Sequence, residues 1–260
     1  MGAELAYGSR VVLTGGTFTV PARSLTVLIG PNGSGKSTLL NVVAGLSRLA
    51  GGELVVLDGP PPPRPSDIAY VLQTTEANGV LPITVKDTVT MGRFARRGAV
   101  GRLRAADRRA IEHAMRRLEI DELANHRLSR LSAGQRQRAL VAQALAQEAA
   151  LLLLDEPLIG LDLVSRRRIL RVIYEERDAD RTVVLATHDL EDAALADHVL
   201  LLSGRVVAEG PPGEVLTPEL MRQAYGHRLL ELDDRSVLLD DYHHHGRVET
   251  DDSPRRSTGL

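Results

Sequence analysis

Three uninterrupted apolar runs punctuate this chain: "LTVLIG" (25–30), "AALLLL" (149–154) and "TVVLA" (182–186). Each has the length of a strand buried on both faces. The first leads through glycines into "KSTLLNVVAGL" (36–46), which reads as a helix closed by Gly45. Residues 84–147 read as mostly helical, with Ala106, Ala110, Ile111, Ala114, Met115 and Leu118 at helical spacing. A further helix is expected near 162–177. Buried strands alternating with helices predict a mostly parallel α/β sheet. Upstream, "SRVVL" (9–13), "TFTV" (17–20) and "GGELVVLDG" (51–59) are expected as strands. "GPPPPRPSD" (59–67) reads as an exposed connector. From about Asp233 the chain turns polar and loses core periodicity, so 233–260 is expected as a flexible tail. No internal repeat stands out.

Composition narrows this picture more than it extends it. With 260 residues, 43% of them apolar, the chain can bury a real core as one large domain or two small ones. Thirty-two basic side chains against 34 acidic ones leave a net charge of −2, so there is no global pull toward nucleic acid. Cysteine is absent, which removes disulfides, thiolate metal sites and cysteine nucleophiles. The start, "MGAELAYGSR", lacks the pattern of a secretory signal. The longest apolar run falls well short of the ~20 residues of a membrane helix. A chain that stays out of the bilayer is expected.

Chemistry concentrates where the buried runs end. "GPNGSGKST" completes the pattern G-x-x-x-x-G-K-[ST], after a strand and before a helix, as that motif requires. Its glycines let backbone N–H groups converge on phosphate oxygens at a helix N-terminus. Lys36 supplies a point charge for the outer phosphates, and the Ser37 hydroxyl is placed for Mg²⁺. Only Lys36 and Lys86 are lysines among the 32 basic residues, so lysine stands here in a chain that otherwise uses arginine. A compact ammonium fits where a planar guanidinium does not. These residues imply binding of a nucleoside triphosphate. "LLLLDEP" adds Asp155, a carboxylate at the end of a buried strand positioned to hold Mg²⁺. Glu156 is expected on the other face of the extended chain, where it can orient or deprotonate a water. Hydrolysis is therefore expected, beyond binding.

Three further elements gain meaning only as a set. Gln73 ends "AYVLQ", "LSAGQ" (131–135) precedes "LLLLDEP" by about 20 residues, and His188 follows it by about 30. In that order, with the P-loop, they resemble the ATP-binding cassette family over about residues 3 to 230. The resemblance implies a P-loop NTPase core with a mostly parallel sheet, an N-terminal antiparallel β-subdomain and a helical signature subdomain at about 84–147, all within 1–232. It also implies that two such chains pair head to tail, each ATP lying between one P-loop and the partner's signature turn. On that reading Gly30, Pro31, Asn32, Gly33, Ser34, Gly35, Lys36, Ser37 and Thr38 hold the ATP phosphates, and Tyr7 stacks on adenine. Ser37, Gln73 and Asp155 attend Mg²⁺, Glu156 is the general base and His188 meets the γ-phosphate. Ser132, Ala133, Gly134 and Gln135 serve the partner's nucleotide from a helix starting near Ala133, and Asp162 is the D-loop aspartate. Two departures stand out. Ala133 replaces the usual glycine, tolerable if its φ is negative, and "LIGLD" lacks the usual hydroxyl residue.

The stretch "GVLPITVKDTVTMGRFARRG" (79–98), together with "AEGPPGEVLTPELMRQAYG" (208–226), is similar to manganese- and zinc-type importers. Iron-siderophore importers share part of it. The resemblance then implies a separate membrane permease, an extracytoplasmic metal-binding protein, and a place on the cytoplasmic face of the cell membrane. Val89 in "PITVKDTVTMGR" is expected to line either a docking groove for that permease or the core of the helical subdomain. His243–His245, after Asp240, Asp241 and Tyr242, could ligate zinc or belong to a polar tail. Seven arginines between Arg93 and Arg109 admit a nucleic-acid patch or a solvated helical face. Phe94 is the one aromatic among them, which disfavours base stacking. No nucleic-acid partner is expected.

Overall fold

A computed structural model of the chain describes residues 5–7, 10–14, 16–59, 63–72, 82–98, 101–226, 229–232 and 236–239. The three apolar runs become β3 (Leu25–Ile29), β5 (Leu151–Asp155) and β6 (Thr182–Ala186), each buried along its full length. With β4 (Ile68–Val71), β7 (His198–Leu202) and β8 (Val206–Gly210) they form a six-stranded sheet in the order β4-β5-β6-β3-β7-β8. All neighbours are parallel except β8, which runs antiparallel to β7. β1 (Leu5–Tyr7) and β2 (Arg10–Leu13) pair antiparallel at the N-terminal end.

Successive side chains on β5 divide between two cores, as strand alternation requires. Leu151 and Leu153 join Leu28, Val184, Leu200 and α1 (Lys36–Val43) on one side of the sheet. Leu152 and Leu154 join the other side. There the sheet meets α5 (Ala133–Ala146) and α6 (Leu163–Asp178), and beyond them α2 (Val85–Met91) and α4 (Ala105–Arg117). α3 (Phe94–Arg97) and α7 (Leu190–Ala194) are single turns or little more. α8 (Pro212–Val215) and α9 (Pro218–Tyr225) pack Val215 and Met221 onto the larger core. A hairpin of β9 (Leu229–Leu232) and β10 (Ser236–Leu239) follows, so a paired strand lies where the polar tail is expected to have begun. Among the described residues no helix is long and apolar enough to cross a membrane.

Two expected strands do not form. "GGELVVLDG" holds a single antiparallel bridge, Val56 to Gly59. Leu57 and Asp58 lie at φ 51° and 61°, which reverses the chain at once, and of its central apolar residues Val56 alone is buried. "TFTV" is irregular, fastened where the Thr19 amide donates to Glu209 at 2.8 Å. Val89 is fully buried between the helices, so it is a core residue and not a docking contact.

Candidate nucleotide site

Register brings the chemistry together. Asp155 pairs with Ala186, and Ala186 pairs with Leu28, so three adjacent strands end side by side. The P-loop follows β3, Glu156 follows β5, and His188 follows β6, all at the carboxyl edge where α/β sheets bind ligands. Backbone bonds fasten this edge: the Glu156 amide donates to Ala186 O at 3.0 Å and the Thr187 amide to Leu28 O at 3.1 Å.

The P-loop is held tightly against the sheet. A Cβ on Gly30 would lie 2.0 Å from Leu202 O, so no other residue fits there. Gly35 adopts φ 104°, a left-handed turn that hands the chain to the first residue of α1, Lys36. Lys36 is buried, and its Nζ donates to Gly30 O at 2.7 Å and Pro31 O at 3.3 Å. Burial lowers its pKa, and the charges of Glu156 and Asp155 oppose that shift. An ammonium satisfied by its own loop's carbonyls and facing two carboxylates is a cation held ready for an anionic ligand.

Next to it, Ser37 Oγ donates to Asp155 Oδ1 at 3.0 Å, and the Tyr70 hydroxyl approaches Oδ2 at 3.4 Å. Asp155 is 2% exposed. Burial raises its pKa, against the pull of the Ser37 and Tyr70 hydrogen bonds and the Lys36 charge. A hydroxyl and a carboxylate meeting beside a phosphate loop form an all-oxygen donor set, the kind Mg²⁺ prefers. The residues present therefore fit a magnesium-bound nucleotide.

Glu156 departs from expectation. Its φ is 49°, so the chain has left the extended conformation at this residue and turned. A non-glycine residue in that region costs on the order of 1–3 kcal/mol and persists when its surroundings dictate it. Here the bond from its amide to Ala186 helps to dictate it. His188 is half-buried, one residue past Thr187. Its neighbour Asp189 is fixed from α6, where Arg166 reaches both Asp189 at 2.6 Å and Asp192 at 2.7 Å.

A second grouping forms where α5 and α6 begin. Ser132 caps α5, accepting from the Gln135 amide at 3.2 Å while Gln135 accepts from the Ser132 amide at 3.0 Å. Ala133 is exposed, is the first helical residue and does not have a positive φ, which meets the condition set for its methyl group. Gly134 is the intolerant position. A Cβ there would lie 2.4 Å from Ser165 Oγ and 2.6 Å from Asp162 Oδ2. Asp162 caps α6, accepting from the Ser165 amide at 2.9 Å and its hydroxyl at 2.8 Å. The signature turn and the D-loop are thus packed into one unit. Tyr70 and Ser165 were missed in the sequence. Tyr70 has a weak signal there, because alternation in "IAYV" puts it on one face of a strand. Ser165 has none, since its partner lies on another helix.

The arginine run also resolves. Arg93 is 4% exposed and bonds Asp107, Glu148 and Ala146 O, so it is a core residue. Arg97 pairs with the same Asp107 at 3.0 Å. Gln73 and His243–His245 lie outside the described residues, and Tyr7 is described by its backbone alone, in β1.

A P-loop opening on a helix, a strand-end aspartate beside its serine, and a capped signature turn define an ATP-hydrolysing nucleotide-binding domain. A family model described as ABC transporter matches residues 13–159, and the chain belongs to that family. It is 35% identical to the manganese transport system ATP-binding protein MntB of Listeria monocytogenes, over 86% of this chain and 94% of that protein. It is 38% identical to the iron(3+)-hydroxamate import ATP-binding protein FhuC of Bacillus subtilis, over 85% of this chain and 84% of that protein. Among solved structures, a bacterial ABC transporter cassette in dimeric form matches with TM-score 0.71 and 25% identity, covering 81% of this chain and 96% of that one.

Proposed function

We propose that this chain is the ATP-hydrolysing subunit of an importer for a divalent metal ion, manganese or zinc, acting with a separate membrane permease. The observation that carries the enzymatic part is the meeting of Ser37 and Asp155 beside buried Lys36, one residue from Glu156. Lys36 neutralises the outer phosphates, and Ser37 and Asp155 hold Mg²⁺, with Gln73 completing the set. When bound, the ion supplies charge neutralisation for the leaving phosphates. Glu156 accepts the proton of the attacking water, and His188 contacts the γ-phosphate. Tyr7 stacks on adenine. Ser132, Ala133, Gly134 and Gln135 close over the nucleotide of a second copy, and the relative solved as a dimer supports that pairing.

The metal assignment rests on likeness to MntB and on the 79–98 stretch. The FhuC likeness favours a second reading, an importer of chelated iron. Uptake assays with manganese, zinc and ferric hydroxamate in cells lacking this chain decide between them. The permease, an extracytoplasmic metal-binding protein and a peripheral place on the cytoplasmic face of the membrane complete the proposal. Nucleic acid is not a partner on this reading, and the arginine run supports that by being partly consumed in internal pairs. The test is Glu156→Gln: it should bind MgATP, stop hydrolysing it and accumulate as a dimer. A variant that stays monomeric under saturating MgATP refutes the paired arrangement.

A further inference from the structure

Tyr70 has no part in the roles assigned so far. It lies on β4, the edge strand, in register with Leu153 of β5. Alternation places its side chain on the sheet face of Leu153 and Asp155, the side covered by α1. It packs there against the cluster that holds Leu39, Leu40 and Leu153. The ring thus points along the face toward the strand end, and its hydroxyl reaches Asp155 Oδ2 at 3.4 Å. Ser37 takes the other oxygen, Oδ1, at 3.0 Å.

The consequence is rotational. The terminal torsion of an aspartate is broad, so a carboxylate with one donor can swing about its own axis. With a separate hydroxyl on each oxygen, the carboxylate plane is held. The side chain is only 2% exposed, so bulk water has little access to it. We propose that Tyr70 is a positioning residue, whose hydroxyl holds the Asp155 carboxylate in the rotation that presents Oδ1 to Ser37 and hence to a magnesium-bound nucleotide. This rests on the Mg²⁺ role given above to Ser37 and Asp155. Tyr70 acts through Asp155 and needs no contact with the nucleotide.

The experiment compares Tyr70→Phe, Tyr70→Leu and Asp155→Asn in the full chain, each checked by thermal melting. The readout is binding of a fluorescent ADP analogue, titrated with Mg²⁺ and repeated in EDTA, well below each melting midpoint. Tyr70→Phe keeps the ring and its packing and loses one hydrogen bond to a carboxylate. Its half-saturating Mg²⁺ should rise about fivefold, the worth of an ordinary uncharged hydrogen bond, because at 3.4 Å this one is long for its type; metal-free affinity should be unchanged. Tyr70→Leu should match it, since both lack the hydroxyl. Asp155→Asn should lose most of the Mg²⁺ dependence. If Asp155→Asn keeps the wild-type Mg²⁺ dependence, the magnesium role itself is wrong. If Asp155→Asn loses it while Tyr70→Phe titrates like wild type, the Tyr70 proposal alone is overturned. A defect in Tyr70→Leu that Tyr70→Phe does not share assigns the effect to packing and overturns it too.

Discussion

Gly134→Ala tests whether the signature turn and the D-loop act as one packed unit. A Cβ at Gly134 would stand 2.4 Å from Ser165 Oγ and 2.6 Å from Asp162 Oδ2, where ordinary contact begins at 3.4 Å. One side must therefore move by about 1 Å. Overpacking of this kind costs about 1–3 kcal/mol. Alanine returns about 1 kcal/mol of helix propensity, so the net loss of stability should be about 0–2 kcal/mol. Function should suffer more, because a 1 Å misplacement of positioning groups can cost about a hundredfold in rate. The assays are urea unfolding and steady-state ATP hydrolysis on Gly134→Ala, Ser165→Ala and the double variant. Ser165→Ala removes the nearest atom and frees Asp162 Oδ2, so the double variant should recover part of the loss, a coupling that a double-mutant cycle measures. Ala133→Gly, one residue away on an exposed site, relieves no clash and should cost no more than about 1 kcal/mol of helix propensity. Gly134→Ala with wild-type turnover, or a cycle with no coupling, would refute the packed unit.

Lys36→Ala should lose nucleotide affinity about 10- to 150-fold, as expected for a charge-assisted contact, whereas His188→Ala should bind normally and turn over slowly; equal losses of affinity contradict the roles. Arg93→Met should cost about 1–3 kcal/mol, because buried Asp107 loses two guanidinium bonds and keeps Arg97 and the Arg104 amide; a urea midpoint near wild type contradicts this. The Arg104 amide, with Arg93 and Arg97, holds the Asp107 carboxyl at about 2, below its ordinary 3.8. Its folded pKa is the lower one, so the stability it lends is present above about pH 4 and drains away as pH falls toward 2. Asp107→Asn should flatten urea midpoints over that window. Leu72, 50% exposed at the end of β4, replaces Val89 as the docking probe. Leu72→Asp should bind ATP and melt like wild type yet leave the membrane fraction when coexpressed with a cognate permease; unchanged sedimentation refutes that surface, and ATPase activity stimulated by nucleic acid at physiological salt refutes the transport reading.

Sequence by itself determined whatever depends on residues close in the chain. The P-loop is local: its glycines, Lys36 and Ser37 need only a strand before them and a helix after. The buried strands β3, β5 and β6 announced themselves because a strand covered on both faces has no polar position to alternate with. The capped start of α5 was equally local, since Ser132 and Gln135 satisfy each other within one turn. Tertiary structure decided what depends on a partner distant in sequence. In α4, Ala106 is exposed and Asp107 takes the buried place, because Arg93 and Arg97 arrive from α3 and its approach to neutralise the charge. Val89 faces helices and not a groove. The turn at Glu156 follows from the neighbouring β6, whose Ala186 carbonyl receives its amide. The hydroxyls flanking Asp155 come from α1 and an edge strand, separated from it by 118 and 85 residues. Gly134 is required by a serine on another helix. Local pattern names the groups that can do chemistry, and packing decides which of them are held still, because only an atom brought in from elsewhere can occupy the second side of a carboxylate or the space beside a glycine.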